Sequence, residues 1–264
     1  CKPEYFFKYC VNATAENQKN DREYYQGLKN YVDSVVYPDF PYSHVYAIKE
    51  VVEKIPADSV LHLSINDSIR ITNFFKLNPR IKTYANIGTH GIDGCLSSFL
   101  GQAAAGNKQS YLVIGDLAFF YDMNAMRLRH IKNNVHILLI NNEGGSEFYF
   151  NHMWKDEASD LHTTARHHTK AEGWVKSNNF IYLSAHDKES MQEALKEFMR
   201  SDLEKPVFLE VFTEMKTDSD VIYDFFDLSR PKDVQSETIR RSKEFIKATI
   251  GQEKAQKIAG LFKK

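Results

Sequence analysis

An excess of charge of either sign is missing from this sequence. Its 264 residues carry 34 Lys and Arg against 35 Asp and Glu, a formal net charge of −1. That balance gives no electrostatic footprint for nucleic acid or for an anionic membrane surface. Cysteine is scarce, with only Cys1, Cys10 and Cys95. Three scattered thiols make no disulfide framework, and no CxxC pair is present to begin a thiolate metal site. A reducing cytoplasm is the expected setting. No apolar run reaches the roughly 18 residues that a membrane-spanning helix needs, so none is expected. Internal repeats and low-complexity tracts are also absent. What remains is a chain with 42% hydrophobic and 26% charged residues, the composition of a soluble globular protein, long enough for one large α/β domain or two small ones. The chain opens on Cys1 with neither an initiator Met nor a signal peptide, and it reads as a piece of a longer protein.

Strand and helix patterns alternate along most of the length. Residues 1–42 are tyrosine-rich and polar, with Pro3, Pro38 and Pro41, and read as a linker or surface arm with a helix around 22–36. Ser43 can cap a helix whose apolar positions Val45, Ile48, Val51, Val52 and Ile55 recur until Pro56. Strands are expected over 58–63, 81–84, 111–114, 135–140, 180–183 and 206–212. The intervening helices are expected over 67–75, 96–105, 118–132, 170–177 and 188–200. Segment 148–168 has no clean period and reads as a mobile loop, and two polar helices over 234–249 and 252–262 close the chain. This alternation predicts a doubly wound parallel sheet flanked by helices. The domain reading is an arm over 1–42, a main domain over 43–229 and C-terminal helices over 230–264 packed on it.

Chemistry concentrates in residues 111–150. Two apolar runs end in Gly115-Asp116 and in Asn141-Asn142, and a glycine pair, Gly144-Gly145, follows. If the runs are adjacent parallel strands, Asp116 and Asn142 leave their carboxyl ends together, on the rim where open α/β sheets bind ligands. Hard oxygen donors beside a flexible glycine pair suit Mg²⁺ and a phosphate group.

The combination of GD, NN and GG at successive strand ends resembles the cofactor motif of the thiamine diphosphate-dependent enzymes. That resemblance implies Mg²⁺ ligands at Asp116, Asn142 and the carbonyl of Gly144. It implies cofactor contacts from Gly91, Ile92, Gly115, Asp116, Leu117, Ala118, Asn142, Gly144, Gly145 and Ser146, with backbone N–H groups near Asp116 and Gly145 aimed at phosphate. Ile92 would be the apolar wedge under the bent cofactor. The segments GIDGCLSSFLGQAAAG (91–106), GDL (115–117), YDMNAM (121–126) and NNEGGSEF (141–148) are similar to one branch of the family. That branch is the 2-succinyl-5-enolpyruvyl-6-hydroxy-3-cyclohexene-1-carboxylate synthases of menaquinone biosynthesis. Arg70 falls where that branch has a second substrate Arg, and Asn66, a further candidate substrate contact, falls where it has Ser.

One departure bears on substrate. Where the branch carries Asn-Arg-Gly before its GIDG loop, this chain has Asn86-Ile87-Gly88, and an isoleucine cannot replace a carboxylate-gripping guanidinium. A related 2-oxo acid is therefore the expected substrate, in a decarboxylation or a carboligation. The family's activating Glu sits on a pyrimidine-binding domain for which there is no room before residue 43. The resemblance thus implies that domain elsewhere in the same protein or on a separate subunit, a homodimer or tetramer, and an isolated chain without activity. Two alternatives stand beside it: a subunit like the phosphonopyruvate or sulfopyruvate decarboxylases, and a non-catalytic cofactor-binding scaffold. Further candidates weighed on the residues alone are a zinc cluster from His152, His162, His167 and His168, Glu143 as an acid/base, stacking by Phe119, Phe120 and Tyr121, and a lowered thiol pKa at Cys95.

Overall fold

A computed structural model describes residues 3–15, 22–88, 90–150 and 161–228. The two helices expected over 234–262, as well as His152, lie outside the described residues. Contacts divide the chain into one unit over Cys1–Asp39 and another over Phe40–Lys264. The first unit holds α1 (Pro3–Ala15) and α2 (Arg22–Asp33). Only α2 is anticipated by the sequence pattern. In α1 the aromatic and apolar residues Tyr5, Phe6, Phe7, Tyr9 and Val11 are all exposed, so no buried stripe gives the helix a readable period.

The second unit is built on a six-stranded, wholly parallel sheet in the order β2-β1-β3-β4-β6-β5. In chain order these are β1 (Val60–Leu63), β2 (Lys82–Ala85), β3 (Ser110–Gly115), β4 (Val135–Asn141), β5 (Ile181–Ala185) and β6 (Val207–Phe212). Every residue of β4 is buried, as a central parallel strand covered on both faces requires. The edge strand β2 is largely exposed. Successive residues of β3 serve opposite faces. Leu112 and Ile114 join Phe99, Phe119 and Phe208 in one core. On the other side the Tyr111 ring stacks on His136 at 4.5 Å, with Phe198 edge-on to both. Burying a large apolar side chain of this kind contributes about 1.5–3 kcal/mol.

The helices follow from local signals. α3 (His44–Val52) starts at Ser43, whose hydroxyl accepts from the N–H of Tyr46 at 3.3 Å. α4 (Asp67–Thr72) follows β1, and α5 (Cys95–Ala105) follows the GIDG loop. Gly94 caps α5 in the left-handed region at φ 72° and has no side chain to offer. Asp122 does the capping from outside, accepting the backbone N–H of Ser97 at 2.7 Å and its hydroxyl at 2.8 Å. That contact fixes the end of α6 (Asp116–Asp122), which is shorter than the 118–132 read from helix formers. The chain then tightens into a 3₁₀ turn over Met123–Arg127, and the Trp174 indole N–H takes the Met123 carbonyl at 2.8 Å. α7 is Ser146–Phe150, α8 is Glu172–Ser177, and α9 is Lys188–Phe198, opened by a capping box at Asp187 and Ser190. α10 (Met215–Leu228) is an element the sequence reading did not contain.

The order of strands sets the site. From β1 the chain goes out to the edge at β2, then returns across to β3 on the other side of β1. The loops after β1 and β3 therefore part at a topological switch point, where parallel sheets bind ligands at their carboxyl ends.

Candidate functional site

A cleft opens at that switch point. It is lined by Ser64 to Ser68 after β1, by Ile92, by Gly115 to Ala118 after β3, and by Asn142 and Gly144 to Phe148 after β4. Register explains the meeting: Gly115 pairs with Ile140, so Asp116 leaves its strand level with Asn141, one residue before Asn142. Of the residues singled out in the sequence, Asn66, Ile92, Gly115, Asp116, Leu117, Ala118, Asn142, Gly144, Gly145 and Ser146 all line this one cleft. Gly91 does not line it, although its neighbour Ile92 does. Arg70 sits at the rim, with one guanidinium nitrogen 3.1 Å from Asp67 Oδ1 and the other 2.7 Å from Glu147 Oε1.

Asp116 is buried and doubly held. Its Oδ1 accepts the N–H of Leu117 at 2.6 Å, and its Oδ2 accepts the N–H of Gly144 at 2.9 Å. The second bond ties the two strand ends together across the cleft. The imidazole of His167 lies 3.3 Å from the same Oδ2. The Asp116 carboxylate at that distance outweighs partial burial and raises the His167 pKa.

The glycine loop is a close-fitting cradle. Gly144 adopts φ +150°, and a Cβ there would meet the Thr164 carbonyl at 2.6 Å. Only glycine allows this approach. The N–H of Gly145 donates to that same carbonyl at 2.7 Å, and Ser146 N–H reaches the Gly144 carbonyl at 3.1 Å. The Ser146 hydroxyl donates to Asp67 Oδ2 at 2.7 Å. Leu117, Gly145 and Ser146, read from the resemblance as phosphate donors, thus give their backbone N–H groups to protein acceptors in this structure. Burial raises the Asp67 pKa, against the smaller opposing pull of His44 and Ser146.

Asn142 is fixed from behind. Its side-chain N–H donates to Asp218 Oδ2 at 2.9 Å. Asp218, on α10, is fully buried and also accepts from the Thr213 hydroxyl at 2.6 Å and from His44 N–H at 2.8 Å, and its Oδ1 lies 2.8 Å from His44 Nδ1. Burial alone would lower the His44 pKa, but the charge and hydrogen bond of Asp218 prevail and raise it. The same pairing, with help from Thr213 and Asn142, overcomes burial at Asp218 and holds its carboxyl below the usual range. Sequence reading missed His44 and Asp218. The Thr213-Glu214 pair before an apolar stripe was the available signal, because Glu214 caps α10 by accepting the N–H groups of Lys216 and Thr217.

The other candidates resolve differently. Phe119 is core, whereas Tyr121 is 68% exposed and stacks on nothing in the cleft. Cys95 is a buried free thiol beside Asn86. His162 is exposed, and His168 pairs with Glu143 at 3.0 Å. No cluster of three or more His, Cys, Asp or Glu fit for a metal occurs among the described residues. Within them, no helix is long and apolar enough to cross a membrane. The donor set of Asp116, the Asn142 carbonyl oxygen and the Gly144 carbonyl is all hard oxygen, the chemistry that Mg²⁺ prefers. The glycine at 144 is required by the chain itself, because Thr164, Met215 and Arg166 already fill the space where a Cβ would stand.

No family model matches the chain. Curated relatives do. The chain is 36% identical over 206 residues to a 2-succinyl-5-enolpyruvyl-6-hydroxy-3-cyclohexene-1-carboxylate synthase of Bacteroides fragilis, covering 77% of this chain and 37% of the relative. Against the synthase of the same name from Phocaeicola vulgatus it is 36% identical over 200 residues, 75% of this chain and 36% of that one. For the one from Bacteroides thetaiotaomicron the identity is 35% over 212 residues, 80% of this chain and 38% of the relative. The chain spans less than two fifths of the length of the curated relatives it matches. Over three quarters of its own length, it is a homologue of part of these synthases.

Proposed function

We propose that the chain is the diphosphate- and Mg²⁺-binding part of a thiamine diphosphate-dependent enzyme that acts on a 2-oxo acid. The observation that carries this reading is the convergence of Asp116, Asn142 and Gly144 on one cleft at the switch point of a parallel sheet. Its domain is residues 43–229. Asp116, the Asn142 carbonyl oxygen and the Gly144 carbonyl would hold the metal, and the metal would hold the diphosphate. When bound, the cofactor supplies the electron sink for cleaving or joining bonds next to a carbonyl. The chain's own contribution is position and dryness. Ile92 presents an apolar wall to the cleft, and Ile65 and Ile140 lie buried at its base, so polar groups there act in a low dielectric. The activating Glu would come from a pyrimidine-binding domain, in the same full-length protein or a partner subunit, within a dimer or tetramer.

The substrate site differs from that of the menaquinone-pathway synthases. Ile87 is 46% exposed where a gripping Arg would stand, and Arg70 already spends both of its terminal nitrogens on Asp67 and Glu147. A 2-oxo acid with different carboxylate demands fits this arrangement.

Calorimetric titration of the full-length protein with thiamine diphosphate, with and without Mg²⁺, tests the reading. Binding should require the metal. Asp116→Ala should remove the Mg²⁺-dependent binding with little change in fold, read by circular dichroism. Unchanged cofactor affinity in that variant would refute the ligand assignment.

A further inference from the structure

An asparagine side chain is nearly symmetric in shape, but its two ends are opposite in chemistry. One end is a carbonyl oxygen that can ligate Mg²⁺, and the other is an NH₂ that cannot. A metal site that uses Asn142 must therefore specify which end faces the cleft. Resting on the metal reading above, we propose that Asp218 is the positioning residue that sets this orientation.

The argument is one of donors and acceptors. Asp218 Oδ2 lies 2.9 Å from Asn142 Nδ2 and is acceptor-only when ionised. Turning the amide over would set two oxygens against each other at that distance with no proton between them. The carboxylate cannot turn aside to relieve this. Its Oδ1 is held by the backbone N–H and the imidazole of His44, each at 2.8 Å, and its Oδ2 also by the Thr213 hydroxyl at 2.6 Å. Asp218 and His44 are both buried, so water offers no substitute partner. The lock is therefore assembled from the start of α3 and the first turn of α10, elements far apart in the chain that meet behind the cleft.

Exchanging the pair tests this. In Asp218→Asn the new amide must keep an oxygen toward His44, so it presents NH₂ to Asn142. Asn142 then turns its own oxygen inward and its NH₂ to the cleft. Removing a partner that orients a ligand costs roughly 10–100-fold in metal affinity. Mg²⁺ titrated into the full-length protein at saturating thiamine diphosphate, read by calorimetry, should show a loss of that size. Adding Asn142→Asp to that variant restores a carboxylate–amide pair with the roles swapped, because one oxygen of the new carboxylate accepts from the new amide at position 218 and the other faces the cleft. The double variant should recover Mg²⁺ affinity to within several-fold of wild type, and Asn142→Asp alone, which opposes two carboxylates, should not.

A merely structural Asp218 would shift the melting temperature without this rescue. Wild-type affinity in Asp218→Asn, or a folded double variant no better than it, would overturn the proposal. Should Asp218→Asn fail to fold, the isosteric double variant decides, since it must fold and bind. Asn142→Ala separates the two layers. If it leaves Mg²⁺ affinity unchanged, the ligand reading fails; if it abolishes binding while Asp218→Asn does not, only the positioning role fails.

Discussion

Asn141 and Asn142 are neighbours at the end of β4, and each gives its side-chain N–H to a buried carboxylate from a different part of the fold. Asn141 donates to Glu210 Oε1 at 2.7 Å and Asn142 to Asp218 Oδ2 at 2.9 Å. The two sites then diverge. Asn141 is used at both ends, because it also donates to the Thr169 carbonyl at 2.9 Å and accepts the Glu143 N–H at 3.3 Å. Glu210 closes that knot by accepting the Ala171 N–H and the Tyr182 hydroxyl at 2.6 Å. Asn142 lines the cleft instead. The same pairing thus closes a buried knot on one side of the strand and leaves an amide at the cleft on the other. The difference lies in whether the second end of the amide is turned inward or outward.

The largest expected effect comes from breaking the inward half. Glu210→Ala strips acceptors from Asn141, Ala171 and Tyr182 at a fully buried position and leaves a cavity. Such a loss costs about 3–5 kcal/mol. Urea unfolding should show it as a lower midpoint, far exceeding that of Asn142→Ala.

pH sharpens the contrast between a buried histidine that has a carboxylate and one that lacks it. Among the described residues no carboxylate partners His136; its Nδ1 lies 2.7 Å from the Phe198 carbonyl and its Nε2 2.8 Å from the Gln109 amide oxygen. Burial pushes its pKa down to about 4 from the ordinary 6.5. A depressed folded pKa means full stability above pH 6.5, lost progressively as pH falls toward 4. The full difference corresponds to about 3 kcal/mol. His44 has the opposite sign, because its raised pKa gives stability below pH 6.5 that is lost as pH rises through the folded value. His136→Gln should flatten the acid limb of a stability–pH curve measured by urea midpoint and leave the alkaline limb alone.

The smallest effect tests how firmly α3 presents His44 to Asp218. Ser43→Ala removes the cap on Tyr46 N–H and should cost about 1 kcal/mol. A thermal melt should register it as a drop of a few degrees.

The cleft side was legible in the sequence because β3 and β4 are mostly apolar runs, broken in β4 by His136, that end in punctuation. Gly115-Asp116 and Asn141-Asn142 mark strand ends without any need for tertiary information. The supporting layer was not legible, for two reasons. The inward stripe of α10 runs through Met215, Asp218, Ile222 and Phe225, and the carboxylate at 218 interrupts the apolar period that would reveal a buried helix. Likewise α6 stops early because Asp122 is taken by Ser97 and the Met123 carbonyl by Trp174, partners that composition cannot foresee.

The strand order carries a consequence for biogenesis. β6 is the last of the six strands in the sequence, yet it sits between β4 and β5. Until residues 207–212 leave the ribosome, β4 is an open edge, and all seven of its residues are ones the finished fold buries. Ile137 to Ile140 then stand exposed as a template for pairing with another chain. Closing the sheet waits on a contact between residues about 70 positions apart, the kind of non-local pairing that slows folding. Chains that end before Val207 thus carry an unpaired β4 edge.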